Sequence, residues 1–289
     1  MASKKPVHVR QLVPREPEYI GKCDACTYGI GGVWISGPGL KHPIVWRLEL
    51  PEDITLLLKN GNISISDLEM AAHLMQYIIL EYLVILYHRS IGIFSDNTPT
   101  VAWANKLSAK NSGLAGRLLR ALALRQQATK SAPAVTASIA GIANIEADNA
   151  SRWFINRFNK KDKQLTNDNF LIYFNKIHPL QTGSWREFKP STGLISKLIC
   201  ELRGERSTLA SWMRIPRKGG NIGSIGVDMQ LVVESAHTWI GKEKTVSSSS
   251  QDVQLELGQG HMDLADKLAF RASQTRWAPS QRASRWEER

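Results

Sequence analysis

Cysteine is scarce in this sequence. Only three occur in 289 residues, Cys23, Cys26 and Cys200, which is too few for a disulfide framework and is typical of a reducing compartment. A structural zinc site needs about four ligands, and the C-x-x-C pair has no second pair to complete it. Positions three apart on a strand face opposite sides, so the pair is interpreted as two small strand residues. An intracellular location is expected, cytoplasmic or nuclear.

Long uninterrupted hydrophobic runs are also lacking. The most apolar segment, "HLMQYIILEYLVILYH", is broken by Gln76 and Glu81 and is shorter than the about 20 residues of a membrane span. It predicts a buried helix, and no membrane partner is expected. Neither a G-x-x-x-x-G-K-S/T phosphate loop nor the Y-x-D-D motif of a polymerase palm is found, which argues against nucleotide hydrolysis by a P-loop and against polymerisation.

Acidic residues are few compared with basic ones. The chain has 26 Asp and Glu against 37 Lys and Arg, a net charge of +11, which favours a polyanion over an acidic protein as partner. Between Tyr82 and Trp153 the imbalance is sharper, with three acids and eight bases. Two of those three acids, Asp96 and Asp148, lie at positions that suggest a function.

Composition and hydrophobic periodicity divide the chain into four regions. Residues 1–17 are expected to form a flexible basic arm. Residues 18–153 alternate strand-like and helix-like segments in the order βββαβααβα, with short links that favour an antiparallel meander of the first three strands. This order predicts an α/β fold with a five-stranded mixed sheet flanked by helices. Residues 154–240 predict a mostly helical or irregular extension, and 241–289 a largely disordered linker and basic tail.

Four carboxylates occupy particular points of this predicted fold. They are Asp24 in the middle of strand one, Glu69 at the start of the first helix, Asp96 at the end of strand four and Asp148 in the last helix. If strands one and four are neighbours, the four side chains converge and repel one another unless cations lie between them. Two magnesium ions, about 4 Å apart, are the usual solution. Manganese is an alternative, since both metals accept oxygen ligands.

Taken singly, three of these acids have ordinary structural explanations. Glu69 follows Ser66 at the spacing of a capping box, Asp96 lies in the turn-like "SDNTP", and Asp148 suits a solvated helix face. Asp24 is harder to explain in this way, because a charge in the middle of a strand needs a partner or an ion. The metal hypothesis therefore depends on the set of four.

Four segments have the pattern of a known family: "CDACTYGIGGVW", "SISDLEMAAHL", "IGIFSDNTPTVAWANK" and "SIAGIANIEADNASR". With them, residues 18–153 resemble the ribonuclease H domain of retroelement reverse transcriptases of the gypsy and DIRS kind. The resemblance implies a ribonuclease H-like fold and an endonuclease that cleaves the RNA strand of an RNA–DNA hybrid. Asp24, Glu69, Asp96 and Asp148 would be its catalytic and metal-binding residues, holding two Mg²⁺ ions that activate water and stabilise the leaving oxygen.

The resemblance also predicts substrate contacts and one departure. Side chains expected to bind the hybrid are Asn97, Lys106, Lys110, Arg117 and Arg120. Many family members carry a histidine ten residues before the last aspartate, where this chain has Ser138. A serine cannot shuttle protons near neutral pH as imidazole can, so slow turnover or lost activity is expected. A polymerase domain encoded upstream is the expected protein partner.

Two other functions share the same predicted fold. One is an inactive ribonuclease H-like module that binds nucleic acid as a tether, and the other is a domesticated domain with a structural or protein-binding role. Intact carboxylates favour the nuclease, whereas Ser138 and the missing polymerase motif favour the alternatives.

Overall fold

The computed structural model of this protein describes residues 16–109, 113–158, 169–205 and 212. These residues form six strands, β1 (Tyr19–Cys26), β2 (Gly29–Ser36), β3 (Ile44–Glu49), β4 (Ile91–Ser95), β5 (Val135–Ser138) and β6 (Arg186–Phe188). Its helices are α1 (Glu52–Lys59), α2 (Ile65–Leu83), α3 (Thr98–Lys106), α4 (Gly113–Thr129), α5 (Ile145–Phe158), α6 (Phe170–Ile177) and α7 (Thr192–Leu202). The predicted α/β class with a mixed sheet flanked by helices is confirmed.

The six strands form one sheet in the order β5-β4-β1-β2-β3-β6. β1, β2 and β3 make the expected antiparallel meander, because the links between them are too short for a crossover. β4 pairs with β1 in parallel, and β5 pairs with β4 in parallel. β1 and β4 are therefore central neighbours, and Lys22 of β1 lies opposite Phe94 of β4.

The prediction of five strands was wrong by one. β6 pairs in parallel with the outer edge of β3. The region after residue 154, predicted as a separate extension, therefore supplies one strand of the sheet. The Arg47 side chain binds Glu187 of β6 at 3.1 Å, and its guanidinium lies over the ring of Phe170 in α6. A strand of three residues is too short to show an alternating pattern, which explains why the sequence did not reveal it.

α2 is the buried helix that the apolar segment predicted, and no described helix is long and apolar enough to cross a membrane. Its capping box, however, is formed by Ser64 and Asp67, two residues before the predicted pair of Ser66 and Glu69. Glu69 is consequently not a capping residue but lies inside the helix with its side chain buried. α1, which follows β3, was not predicted.

Helix α5 packs closely on β2. A Cβ atom on Gly31 would lie 2.7 Å from the backbone nitrogen of Ser151 and 2.8 Å from the carbonyl carbon of Ala150. Glycine at this position therefore permits a backbone approach that any other residue would block. The close approach fixes the helix that carries Asp148 against the strand next to Asp24.

The extension contributes to the main hydrophobic core. Leu194, Leu198 and Leu202 of α7 are buried in the same cluster as residues of α2 and α4. The predicted arm up to residue 15 and the linker and tail after residue 240 lie outside the described residues.

Candidate metal centre

The structure brings together three of the four predicted carboxylates. One ligand oxygen from each of Asp24, Glu69 and Asp96 lies within 4.8 Å of the other two. Asp24 is in the middle of β1, and Asp96 directly follows the parallel neighbour β4. Glu69 arrives from α2, which packs on β1. The three residues are distant in sequence but meet in space, because β1 and β4 are adjacent strands and α2 packs against β1.

Asp24 is almost fully buried, with 3% of its surface exposed. Burial raises its pKa to about 7, and the charges of Asp148 and Asp96 act in the same direction, while a hydrogen bond from the Ser151 hydroxyl acts against them. A carboxylate with a pKa raised in this way is only partly ionised at neutral pH, and a nearby cation would favour its charged form.

Glu69 is buried to a similar degree, with 4% of its surface exposed. Its Oε1 accepts a hydrogen bond of 3.2 Å from the backbone N–H of Ala25. Its Oε2 is buried and lacks a hydrogen bond of good geometry among the described residues, although the Ser95 hydroxyl lies near enough to act against the rise in its pKa. Burial and then the charge of Asp24 raise the pKa of Glu69 to about 9. A buried carboxylate oxygen without a donor is costly, and a bound cation would remove that cost.

Asp96 differs from the other two because its side chain is exposed. Its Oδ1 is 3.5 Å from the amide nitrogen of Asn144, which is itself fully buried. The 3₁₀ turn Gly141–Ala143 lies alongside, since a Cβ on Gly141 would be 3.1 Å from Asp96 Oδ2. The cluster is therefore open to solvent at Asp96 and closed at Asp24 and Glu69.

Asp148 lies outside this group of three. It is in the first turn of α5 and forms an ion pair with Arg152 one turn later. Its charge nevertheless contributes to the raised pKa of Asp24, so the two carboxylates are neighbours. Asp148 is placed beside the cluster with its charge partly balanced by Arg152.

The predicted substrate-binding residues have different environments. Asn97 follows Asp96 and caps α3, with its Oδ1 accepting a hydrogen bond of 3.0 Å from the Thr100 N–H. Lys106 and Arg120 are exposed, on α3 and α4 respectively. Lys106 and Arg120 are thus available to a polyanion, whereas the side-chain amide of Asn97 is already engaged in capping α3.

Arg117 and Lys110 complete the predicted set. The Arg117 guanidinium binds Oε1 of Glu201, a nearly buried residue of α7. Its charge is thus engaged inside the protein and anchors the extension. Lys110 lies outside the described residues.

Sequence reasoning missed three residues around the site. The Ser151 hydroxyl donates a hydrogen bond to the Asp24 carboxylate, and the Asn144 side-chain amide faces the Asp96 carboxylate. The Lys22 ammonium group binds the Glu146 carboxylate. Ser151 and Asn144 belong to the "NIEADNASR" segment that carried the family resemblance, so their presence there was a signal. Nothing in the sequence signalled the role of Lys22.

Ser138, the residue in place of the family's histidine, is exposed at the end of β5. It lies opposite Ser95 of β4, one residue before Asp96. No protein-family model, curated protein or solved structure matches this chain.

Proposed function

We propose that this protein is a metal-dependent ribonuclease of the ribonuclease H type, derived from a retroelement, that cleaves the RNA strand of RNA–DNA hybrids. The observation that carries the proposal is the meeting of Asp24, Glu69 and Asp96 within 4.8 Å of one another. A mixed sheet with an antiparallel meander and two parallel strands is compatible with a ribonuclease H-like fold. The net charge of +11 suits a nucleic-acid substrate.

The residues present fit a magnesium centre. Three carboxylates supply only oxygen ligands, as Mg²⁺ prefers, and the buried Oε2 of Glu69, which accepts no hydrogen bond of good geometry from the described residues, is a suitable ligand atom. Asp24, Glu69 and Asp96 would hold the metal, with Asp148 beside them. Bound there, Mg²⁺ would lower the pKa of a coordinated water and offset negative charge on the phosphate. Mn²⁺ accepts the same ligands.

The chain's own residues prepare the site for this chemistry. The Ser151 hydroxyl and the Ala25 N–H each hold one oxygen of a buried carboxylate, which leaves the other oxygen for a ligand. The exposed side of Asp96 is where a phosphodiester can enter. Ser138 offers no imidazole to carry a proton, so turnover is expected to be slow.

Cleavage of a labelled RNA–DNA hybrid tests the proposal. Wild-type protein is expected to cut the RNA strand with Mg²⁺ and not with EDTA. Asp96→Asn should lower the rate by about 100-fold or more, since it removes a charged ligand. Asp53→Asn is the matched control, because Asp53 is an exposed residue of α1 whose side chain binds Arg203 and no residue of the carboxylate cluster. Equal inertness of wild type and Asp96→Asn would overturn the nuclease proposal.

A non-catalytic tether is the second candidate, and two observations favour it. Ser138 stands where many members of the family carry a histidine, and Arg152 forms an ion pair with the carboxylate of Asp148. If wild type and Asp96→Asn are inert but both bind hybrid, the protein is a tether. If neither binds hybrid at moderate salt, a structural or protein-binding role is indicated.

A further inference from the structure

A lysine lies buried in the central strand, close to the candidate metal centre. Lys22 of β1 is two residues before Asp24 and has 5% of its surface exposed. Its Nζ donates to the carbonyl oxygen of Ala143 and to Oε2 of Glu146, both at 2.8 Å. Removing an ammonium group from water is costly even when it is paired. A buried lysine here therefore requires a reason beyond strand formation.

Cys23, the residue after Lys22 in β1, binds Asn144, the residue that follows Ala143 at the end of the 3₁₀ turn. The carbonyl oxygen of Cys23 accepts a hydrogen bond of 3.1 Å from the side-chain amide of Asn144. Two consecutive residues of β1 thus hold two consecutive residues, Ala143 and Asn144, through four different groups. This double attachment fixes the end of the 3₁₀ turn over the central strand.

The attached turn is in contact with the carboxylates. The same amide nitrogen of Asn144 is 3.5 Å from Asp96 Oδ1. The Asn144 carbonyl oxygen accepts the backbone N–H of Asp148 at 2.9 Å, which starts α5. Any displacement of the turn would therefore move both the amide that faces Asp96 and the helix that brings Ser151 to Asp24.

We propose that Lys22 and Glu146 are positioning residues of the metal centre, and that their ion pair holds Asn144 and the start of α5 against the carboxylates. This inference rests on the proposed function, since it concerns the same site. Groups that orient metal ligands without touching the metal typically change affinity by about 10-fold to 100-fold when removed. A pair that only stabilises the fold would change the melting temperature and leave metal affinity unaltered.

Mn²⁺ affinity of the folded protein separates these roles. Lys22→Met keeps most of the side-chain volume and removes the charge, and Glu146→Gln removes the charge from the more accessible partner. Each variant of the full chain is titrated with Mn²⁺ by calorimetry, with circular dichroism to confirm folding. We expect the dissociation constant to rise about 10-fold in either variant.

Glu187→Gln is the matched control. It weakens another largely buried ion pair, Arg47 with Glu187, that joins β3 to β6, and it leaves Arg47 in place over the α5 rings of Trp153 and Phe154. We expect a lower melting temperature and an unchanged Mn²⁺ dissociation constant.

The outcomes distinguish the two proposals. Wild-type affinity in folded Lys22→Met and Glu146→Gln would overturn the positioning role while leaving the nuclease intact. If Lys22→Met does not fold, Glu146→Gln decides alone, because it retains the bond from Lys22 to Ala143. A wild-type protein that binds no Mn²⁺ would overturn the metal centre and this inference together.

Discussion

Individual residues show how the fold tolerates acids in its interior. Asp24 accepts a hydrogen bond from Ser151 and Glu69 accepts one from Ala25, although burial raises both pKa values. Their positions were predictable, because Asp24 interrupts a strand of small and apolar residues and Glu69 belongs to a recognisable segment. The donors were not predictable from spacing, since each belongs to a pair that forms only when the chain folds.

The pKa values predict how acidity affects the metal-free protein. Burial raises the pKa of Asp24 to about 7 and that of Glu69 to about 9, from ordinary values of 3.8 and 4.5. Between those limits the folded state binds more protons than the unfolded state, so the free energy of unfolding falls as pH rises from about 4 to about 9. Mg²⁺ should restore the lost stability most strongly at the alkaline end, because bound metal requires deprotonated ligands.

Thermal unfolding at a series of pH values, with and without Mg²⁺, measures this effect. Glu69→Gln has no carboxyl group to titrate at that position and should give a flatter pH profile. A wild-type melting temperature that is independent of pH from 5 to 9 and of Mg²⁺ would contradict the account.

Secondary-structure elements position these residues, and their contacts were predicted unevenly. The antiparallel meander of β1, β2 and β3 agreed with expectation because the links between these strands are short, and β4 is the neighbour of β1 as expected. The parallel direction of that pairing was not predicted. The start of α2 was misplaced by two residues because Ser64 and Ser66 precede Asp67 and Glu69 at the same spacing. Only the folded helix shows which pair forms the cap.

The contact between β2 and α5 predicts the effect of one methyl group. Gly31→Ala would place a Cβ within 3 Å of the Ala150 and Ser151 backbone, so the helix must move away from the sheet. We expect a loss of stability of about 1–3 kcal/mol, as for overpacked cores, and weaker Mn²⁺ binding because Ser151 moves with the helix.

Gly193→Ala provides the comparison for that variant. Gly193 lies in α7, where a Cβ would meet nothing within 4 Å, so alanine is expected to be neutral or to stabilise the helix by up to about 1 kcal/mol. Denaturant unfolding of both variants measures the difference. Equal stability of the two would show that the close approach of α5 to β2 does not matter.

The molecule as a whole is larger than the part that the family resemblance covered. The described part of the extension supplies β6 to the sheet and α7 to the main core, and buried Arg125 of α4 donates to the Trp212 carbonyl oxygen at 2.9 Å. These contacts were not predictable, because an amphipathic helix shows that it packs but not on which partner. The extension therefore contributes to the fold that holds the carboxylates.

Leu198→Ala tests this integration. Leu198 is fully buried in the core cluster, and large-to-small changes at such sites cost about 2–5 kcal/mol. Ile172→Ala, at an α6 residue with 73% of its surface exposed, should change stability by less than about 0.5 kcal/mol. Denaturant midpoints give both values, and a mild effect at Leu198 would indicate that α7 is dispensable.

The most direct measurement of the central claim is a crystal structure of the protein soaked with Mn²⁺, recorded at a wavelength where manganese scatters anomalously. We expect an anomalous peak bounded by oxygens of Asp24, Glu69 and Asp96, and no such peak in an Asp24→Asn, Asp96→Asn double variant. Carboxylates in the same arrangement with no manganese between them at saturating concentration would contradict the metal centre and the ribonuclease activity inferred from it.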